Sequence, residues 1–278
     1  MSKGLRLTLH RAQEIADLAE EVAGDLFPVD PIAILRSEDG ISLRRGRFGE
    51  AFDGLIEWRE RWFWVYSNLS RVGPPESARE RFTIGHELGH YFIDEHRNAL
   101  IKGVGRHPSF NEFQSDELAE READLFASHL LMPTQAFTAA IPRVPPGIPG
   151  VLELKKQFGT SITSTALRYV SLADFFCVVV KWNPDGYGWR WTSQEAYENR
   201  YWSMTKSVEE LPPDSATRMA MRGTTSSSGF IERGAVASMW FDYVGAGGWR
   251  DEILMEQAIN LGQYGSLTLL LPASKVGR

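Results

Sequence analysis

Residues 86–90 read His-Glu-Leu-Gly-His, inside the stretch ESARERFTIGHELGHYFIDEH from Glu76 to His96. Histidines four residues apart lie one turn apart on the same face of an α-helix, so both rings can aim a nitrogen at one point. No other feature constrains the fold as much. It asks for a helix here, for a third ligand from elsewhere in the chain, and for a fold that brings the two together. Zn²⁺ favours imidazole and carboxylate, and a catalytic site typically holds it with three protein ligands and one open position. Glu87, next to the first histidine, is then the candidate general base, able to take a proton from water and hand it to a leaving amine. The plainer alternative is a histidine pair satisfied by local hydrogen bonds, which needs no third ligand.

Two residues compete for the third place. His96 follows His90 by six positions, the spacing of the pattern H-E-x-x-H-x-x-G-x-x-H, but position 93 is Ile where that pattern has the Gly that ends the helix. The other candidate is Glu120 in the run EREAD, four residues before Asp124 and on the same helix face. There Glu120 would ligate the metal and Asp124 would receive the N–H of a ligand histidine, His86, fixing its tautomer. A Glu-x-x-x-Asp on a second helix is the gluzincin arrangement. The neighbouring Glu117 and Glu122 read as an ordinary solvated helix face. Two His and a Glu would accept Mn²⁺, Fe²⁺ or Co²⁺ as well as Zn²⁺.

The flanking pattern supports a mixed fold. Apolar residues recur with helical spacing from Ala12 to Ala23 (Ile15, Leu18, Ala19, Val22), and FPVDP breaks the run. GISLRRGRF, FDGLIEWRE and RWFWVYSN are β-branched and aromatic runs separated by turn residues, which predicts a small sheet. Pro75 suits a helix start, with Glu76 in the first turn. DELAEREADLFASHLLMP is a second helix, stopped by Pro133. Ile141 to Gly150 is rich in Pro and Gly and reads as a linker. VLELKKQFGTSITSTALRYVSL predicts two short helices about Gly159, the outline of a helix-turn-helix. Beyond Phe175 the runs FFCVVVKW, GWRWTS, ASMWFDYV and GSLTLLLP predict a strand-rich α+β domain. The three divisions are 1–145, 146–172 and 173–278.

Composition excludes several classes. With 278 residues, 43% of them hydrophobic, a sizeable core is available without staples. The one cysteine, Cys177, forbids an intrachain disulfide and fits packing in a reducing compartment. No apolar run approaches a membrane span and the N-terminus lacks a signal-peptide core, so a soluble cytoplasmic protein is expected. A net charge of -6 argues against a broad grip on nucleic acid.

The runs RERFTIGHELGHY, EREADLFASHLLMP and FGTSITSTALRY, in that order, resemble the ImmA/IrrE metallopeptidases over about residues 12 to 172. The resemblance implies a zincin-like catalytic domain with His86, His90 and Glu120 on the metal and Glu87 as base, followed by a small helical region. It also implies the substrate class, a helix-turn-helix repressor of the XRE type whose cutting derepresses stress-response or mobile-element genes. Some members carry a GAF-like C-terminal domain, which makes residues 173–278 a candidate sensor. Zincin folds lay an edge strand along the cleft for substrate pairing, and Trp64, Val65, Tyr66, Ser67 and Asn68 are the candidates for it. Tyr169 or Arg168 is a candidate oxyanion donor.

Two other functions compete. Residues 151–172 could bind DNA directly, but Lys155, Lys156 and Arg168 are few cations for that. A non-cleaving module could instead capture a partner, its C-terminal Trp182, Trp189, Trp191, Trp202, Trp240 and Trp249 lining a pocket or making core.

Overall fold

The computed structural model describes residues 7–25, 27–103, 107–109, 118–198, 207–224, 226–241 and 252–276. It is a mixed α+β chain, divided into two compact units, Met1–Phe137 with Lys156–Ser161 and Thr138–Lys155 with Ile162–Arg278. Among the described residues no helix is long and apolar enough to cross a membrane.

The first unit opens with α1 (Leu9–Ala23), whose start is capped by Thr8 accepting the N–H of Arg11 and whose Ile15, Ala16, Ala19 and Ala23 are buried. α2 (Pro31–Ser37) has the ideal opening of an Asp30 cap followed by Pro at the first helical position. Then come β1 (Ile41–Gly46), β2 (Gly54–Arg59), β3 (Trp62–Asn68), α3 (Leu69–Val72), α4 (Ala78–Phe92), α5 (Asp94–Ile101), β4 (His107–Ser109) and α6 (Leu118–Leu131). The strands lie in the order β1-β3-β2-β4, with β1 parallel to β3 and the other pairs antiparallel. Period-two alternation buries Ile56, Phe63 and Val65 with Ile84, Leu88 and Tyr91 of α4 in one core, which also holds Ile15 and Ala19 of α1 and Phe126 and Leu130 of α6.

Two expectations are corrected here. Residues 64–68 are not an edge: Trp64 pairs with Ser42 of β1 on one side and Glu57 of β2 on the other, and the same holds through Ser67. Alternating burial reports two faces of a strand but says nothing about its neighbours, and the polar β1 supplies the second one. The motif helix also starts later than Pro75 suggests. Its cap is Ser77, and Glu76 stands outside the helix at φ +66.

α7 (Thr134–Ala140) and α8 (Ile148–Phe158) contribute residues to both units. The Pro/Gly run is partly ordered as secondary structure: Ile141–Arg143 is a 3₁₀ turn and α8 begins at Ile148. Phe158 returns to the first unit, where its ring packs on Phe27 and Phe137 with centroids 4.9 and 4.8 Å away.

The second unit contains α9 (Ile162–Leu172), β5 (Val178–Asn183), β6 (Gly186–Thr192), α10 (Gln194–Glu198), α11 (Ala216–Met221), β7 (Ile231–Val236), β8 (Ile253–Asn260), β9 (Ser266–Pro272) and α12 (Ala273–Val276). Its sheet is antiparallel throughout, in the order β6-β5-β9-β8-β7. Trp182 and Trp240 are core residues with Phe176, Val180, Phe241 and Leu270, whereas Trp191 is half exposed. Trp202 and Trp249 lie outside the described residues. The run ASMWFDYV is not a strand where it is described; Ala237–Met239 is a 3₁₀ turn, and the strands there are β7 before it and β8 after it. Cys177 is buried, and burial pushes its thiol up from the ordinary value.

Candidate metal centre

The site is built on α4. Ser77 Oγ accepts the Glu80 N–H at 3.1 Å, the first half of a capping box. The Glu80 carboxylate does not return to Ser77 but takes the Glu76 N–H, the Ser67 hydroxyl at 2.8 Å and both Arg45 nitrogens at 2.7 and 3.0 Å. The first turn of the motif helix is thereby tied to β1 and β3. Burial works against the charge of Glu80, but Arg45 and these donors outweigh it and hold the carboxyl below the usual range.

α4 meets α6 through its smallest residues. A Cβ on Gly89 would stand 3.0 Å from the Cα of Ala123 and 3.3 Å from its carbonyl oxygen, and one on Gly85 would stand 3.4 Å from the Cβ of Ala127. Glycines one turn apart facing alanines one turn apart let the two helices approach closely. That approach is what carries Glu120 and Asp124 to the histidines.

The His86 and His90 Nε2 atoms are 3.1 Å apart, His86 Nε2 lies 3.2 Å from Glu120 Oε2, and His90 Nε2 lies 3.4 Å from Glu120 Oε1. Among the described residues these three form the group able to hold a metal ion, their ligand atoms all within 4.8 Å of one another. Asp124 Oδ1 takes His86 Nδ1 at 2.9 Å. A carboxylate in that position accepts only, so Nδ1 of His86 carries a hydrogen, and in the neutral ring that a metal would bind the lone pair is at Nε2. The separations also fit. Ligands about 2.0–2.1 Å from a tetrahedral ion stand roughly 3.3 Å apart; the two Nε2 atoms are 3.1 Å apart, and the Glu120 carboxylate presents one oxygen to each imidazole at 3.2 and 3.4 Å. Two imidazoles and a carboxylate suit Zn²⁺ and, with an open position, other first-row divalent ions.

The cluster is strongly polarised. Burial opposes charge on His86, but its bonds to Asp124 and Glu120 and the charge of Glu87 prevail and push it up to about 10. His90 is pushed down to about 4, chiefly by burial, with His86 and His96 adding repulsion. Burial also resists ionisation of Glu120, yet its two histidine partners hold it well below the usual carboxylate range. Glu87 is fully buried, and β2 reaches it at Gly54, where a Cβ would stand 2.4 Å from Glu87 Oε1 and 2.4 Å from Thr83 Cγ2. Only a residue without a side chain lets the strand pass there.

The remaining sequence candidates divide between the two units. Tyr169 and Arg168 belong to the second unit and both are buried. The Tyr169 hydroxyl accepts the Gly147 N–H at 3.1 Å, and burial raises its phenol. α9 buries Ser164, Thr165, Ala166, Arg168, Tyr169 and Val170, which leaves little of it to enter a DNA groove. His96 is not part of the metal group; its Nδ1 faces His90 Nδ1 at 3.2 Å. Glu122 is not a solvated acid. It is 4% exposed, its oxygens take Arg11 Nε and Nη2 at 3.0 Å each, and its Oε2 takes His96 Nε2 at 2.9 Å. Helical spacing sets Glu122 apart from the Glu120/Asp124 face but cannot show that a residue 111 positions away covers it. Glu117 lies outside the described residues.

Paired histidines on α4, a carboxylate from α6 and a small mixed sheet sharing a core with α4 are the parts of a metallopeptidase-like domain. Residues 76–169 match the family model Peptidase_M78, the IrrE N-terminal-like domain, which supports the resemblance to the ImmA/IrrE family. Comparison with curated proteins gives no match. Among solved structures, a Mycobacterium tuberculosis transcriptional regulator is similar in fold, with TM-score 0.60 and 11% identity, over 96% of this chain and 78% of that one.

Proposed function

We propose that this protein is a metal-dependent endopeptidase that acts on a regulatory protein, with His86, His90 and Glu120 as metal ligands, Asp124 orienting His86, and Glu87 as general base. The observation that carries the reading is the convergence of the His86 and His90 Nε2 atoms and the Glu120 carboxylate within 4.8 Å, on the helix that also carries Glu87. A divalent cation, Zn²⁺ by ligand chemistry, would supply Lewis acidity to a scissile carbonyl and make water acidic enough to attack at neutral pH. Glu87 would take a proton from the attacking water and return it to the departing amine. Its burial keeps bulk water from competing for the carboxylate. Among the described residues the sheet edge next to β2, the strand that carries Gly54, is β4, and an extended substrate segment would pair there.

The substrate proposed is a helix-turn-helix repressor of the XRE type, whose cleavage would switch on stress-response or mobile-element genes. This follows from the family, and a solved neighbour described as a transcriptional regulator is in keeping with it. The second unit is then a candidate sensor, and the cytoplasm is where such a substrate is met. A non-cleaving regulator is the second reading, favoured by the same neighbour's likeness across both units. One set of variants separates the two. Glu87→Gln should fold and bind metal like the wild type while cleavage of a co-expressed repressor falls at least about 10²-fold, the scale lost with an acid–base group. Glu120→Ala should lose the metal by elemental analysis. Undiminished cutting by Glu87→Gln would remove Glu87 from the mechanism, and a metal-loaded wild type that cuts no repressor would favour the non-cleaving reading.

A further inference from the structure

The two ligand histidines are oriented by different means. His86 has a carboxylate of its own in Asp124, whereas the Nδ1 of His90 faces another imidazole, that of His96, at 3.2 Å. Both rings are buried, so one of these two nitrogens must carry a hydrogen and the other a lone pair. The far side of His96 decides which. Its Nε2 lies 2.9 Å from Glu122 Oε2, and a carboxylate only accepts, so Nε2 of His96 carries the hydrogen. Glu122 is itself fixed by Arg11, whose Nε and Nη2 each reach one of its oxygens at 3.0 Å. Arg11 sits in the first turn of α1 and also donates to Glu95 at 3.0 Å.

We infer that Arg11, Glu122 and His96 form a relay of positioning residues that sets the tautomer and ring orientation of His90 for metal binding. His96 with its hydrogen on Nε2 offers a lone pair at Nδ1. His90 then donates from its own Nδ1, and its Nε2 is left as a lone pair beside His86 Nε2 and Glu120. The reverse arrangement, with His96 donating from Nδ1, would put the hydrogen of neutral His90 on the nitrogen that must bind the metal. The relay therefore does through two side chains what Asp124 does for His86 through one. It also ties the metal centre to α1, far from it in sequence. His96, which by spacing competes for the third ligand place, acts on the metal through His90. This inference rests on the reading of His90 as a metal ligand.

The test combines two measurements on the full-length protein. The first is histidine nitrogen NMR of the metal-free chain, which reads each ring's tautomer whether or not metal binds. The second is Zn²⁺ affinity by competition with a chromogenic chelator. His90 should be the Nδ1–H tautomer and His96 the Nε2–H tautomer. His96→Phe, which keeps a ring but removes the acceptor, should weaken Zn²⁺ binding about 10- to 100-fold, the usual cost of losing such a partner. His96→Asn, whose amide oxygen can stand where Nδ1 stands, should recover most of that loss, a rescue that a purely structural role does not predict. Should the phenylalanine variant fail to fold, Glu122→Leu gives the same reading from one step further back, with a mixed tautomer population at His96 and weakened Zn²⁺ binding.

Four results would decide the matter. Unchanged tautomers and affinity in His96→Phe would overturn the relay and leave the proposed function standing. Complete loss of Zn²⁺ in both His96 variants, as deep as in His90→Ala, would make His96 a ligand and overturn the relay in favour of a different metal set. A wild type with the expected tautomers that binds no Zn²⁺ would overturn the proposed function while supporting the hydrogen-bond relay. His90 found as the Nε2–H tautomer would overturn the relay directly.

Discussion

Gly89 and Glu80 show how single side chains hold the motif helix in place. In an isolated helix Gly89→Ala would gain up to about 1 kcal/mol of propensity. Here the added methyl meets the backbone of Ala123 at 3.0 and 3.3 Å, and backbone cannot rotate away as a side chain can. Overpacking of about 1–3 kcal/mol should win. We expect Gly89→Ala to lower the thermal midpoint and weaken metal binding together, because α6 and its two carboxylates must back away; calorimetry and chelator competition read the two effects. Glu80 governs the other end of the helix. Its folded pKa is depressed, so its stabilising contribution is fully present above the unfolded glutamate value of about 4.3 and fades as pH falls through the lower folded value. Glu80→Ala, which leaves Arg45 without its buried partner, should cost about 3 kcal/mol in urea denaturation at pH 7. As pH falls below the unfolded value, the gap between wild type and variant should shrink. A gap that stays constant over that fall would mean that Glu80 acts by packing alone.

At the scale of elements, what was legible in the sequence was what periodicity and local chemistry encode. The spacing of His86 and His90 fixes one face of α4, and the Glu120/Asp124 spacing fixes one face of α6, so the two faces that meet could be read directly. The Ile15/Ala19 face of α1 was readable in the same way. What could not be read depends on partners that are distant in sequence. Glu122 looks like any surface acid until Arg11 and His96 are placed around it. The strand RWFWVYSN gives no sign that GISLRRG runs parallel to it on its far side, so nothing local corrects the edge placement taken from the resemblance to zincin folds. Ser77 was hidden by the stronger local signal of Pro75, although Ser-x-x-Glu at 77–80 was there to be found. In the second unit, ASMWFDYV has strand-like composition, but its tryptophan and phenylalanine reach the core from just after a 3₁₀ turn instead. Hydrophobic content marks burial, and without alternation it does not say which element does the burying.

The whole molecule is organised by a chain that does not finish one unit before starting the other. Residues 156–161 belong to the first unit although the residues on either side belong to the second. Phe158 stacks on Phe27 and Phe137, and the Gly159 carbonyl accepts Arg81 Nε at 3.1 Å from the motif helix. A fragment ending at residue 145 keeps all three proposed ligands but lacks these contacts. Losing a buried phenylalanine contact surface alone should cost about 3 kcal/mol or more. We expect the 1–145 fragment to melt well below a 1–172 fragment, by scanning calorimetry at matched metal content; equal melting would mean that the returning segment adds nothing to the first unit's stability. The same discontinuity has a consequence for biosynthesis. A protein made from its N-terminus exposes the HELGH helix and its carboxylate partners early, but the core beside them stays open until residue 161 has been translated. The scaffold around the motif is thus completed late, so premature termination between residues 131 and 155 yields the three proposed ligands without the segment that finishes the first unit.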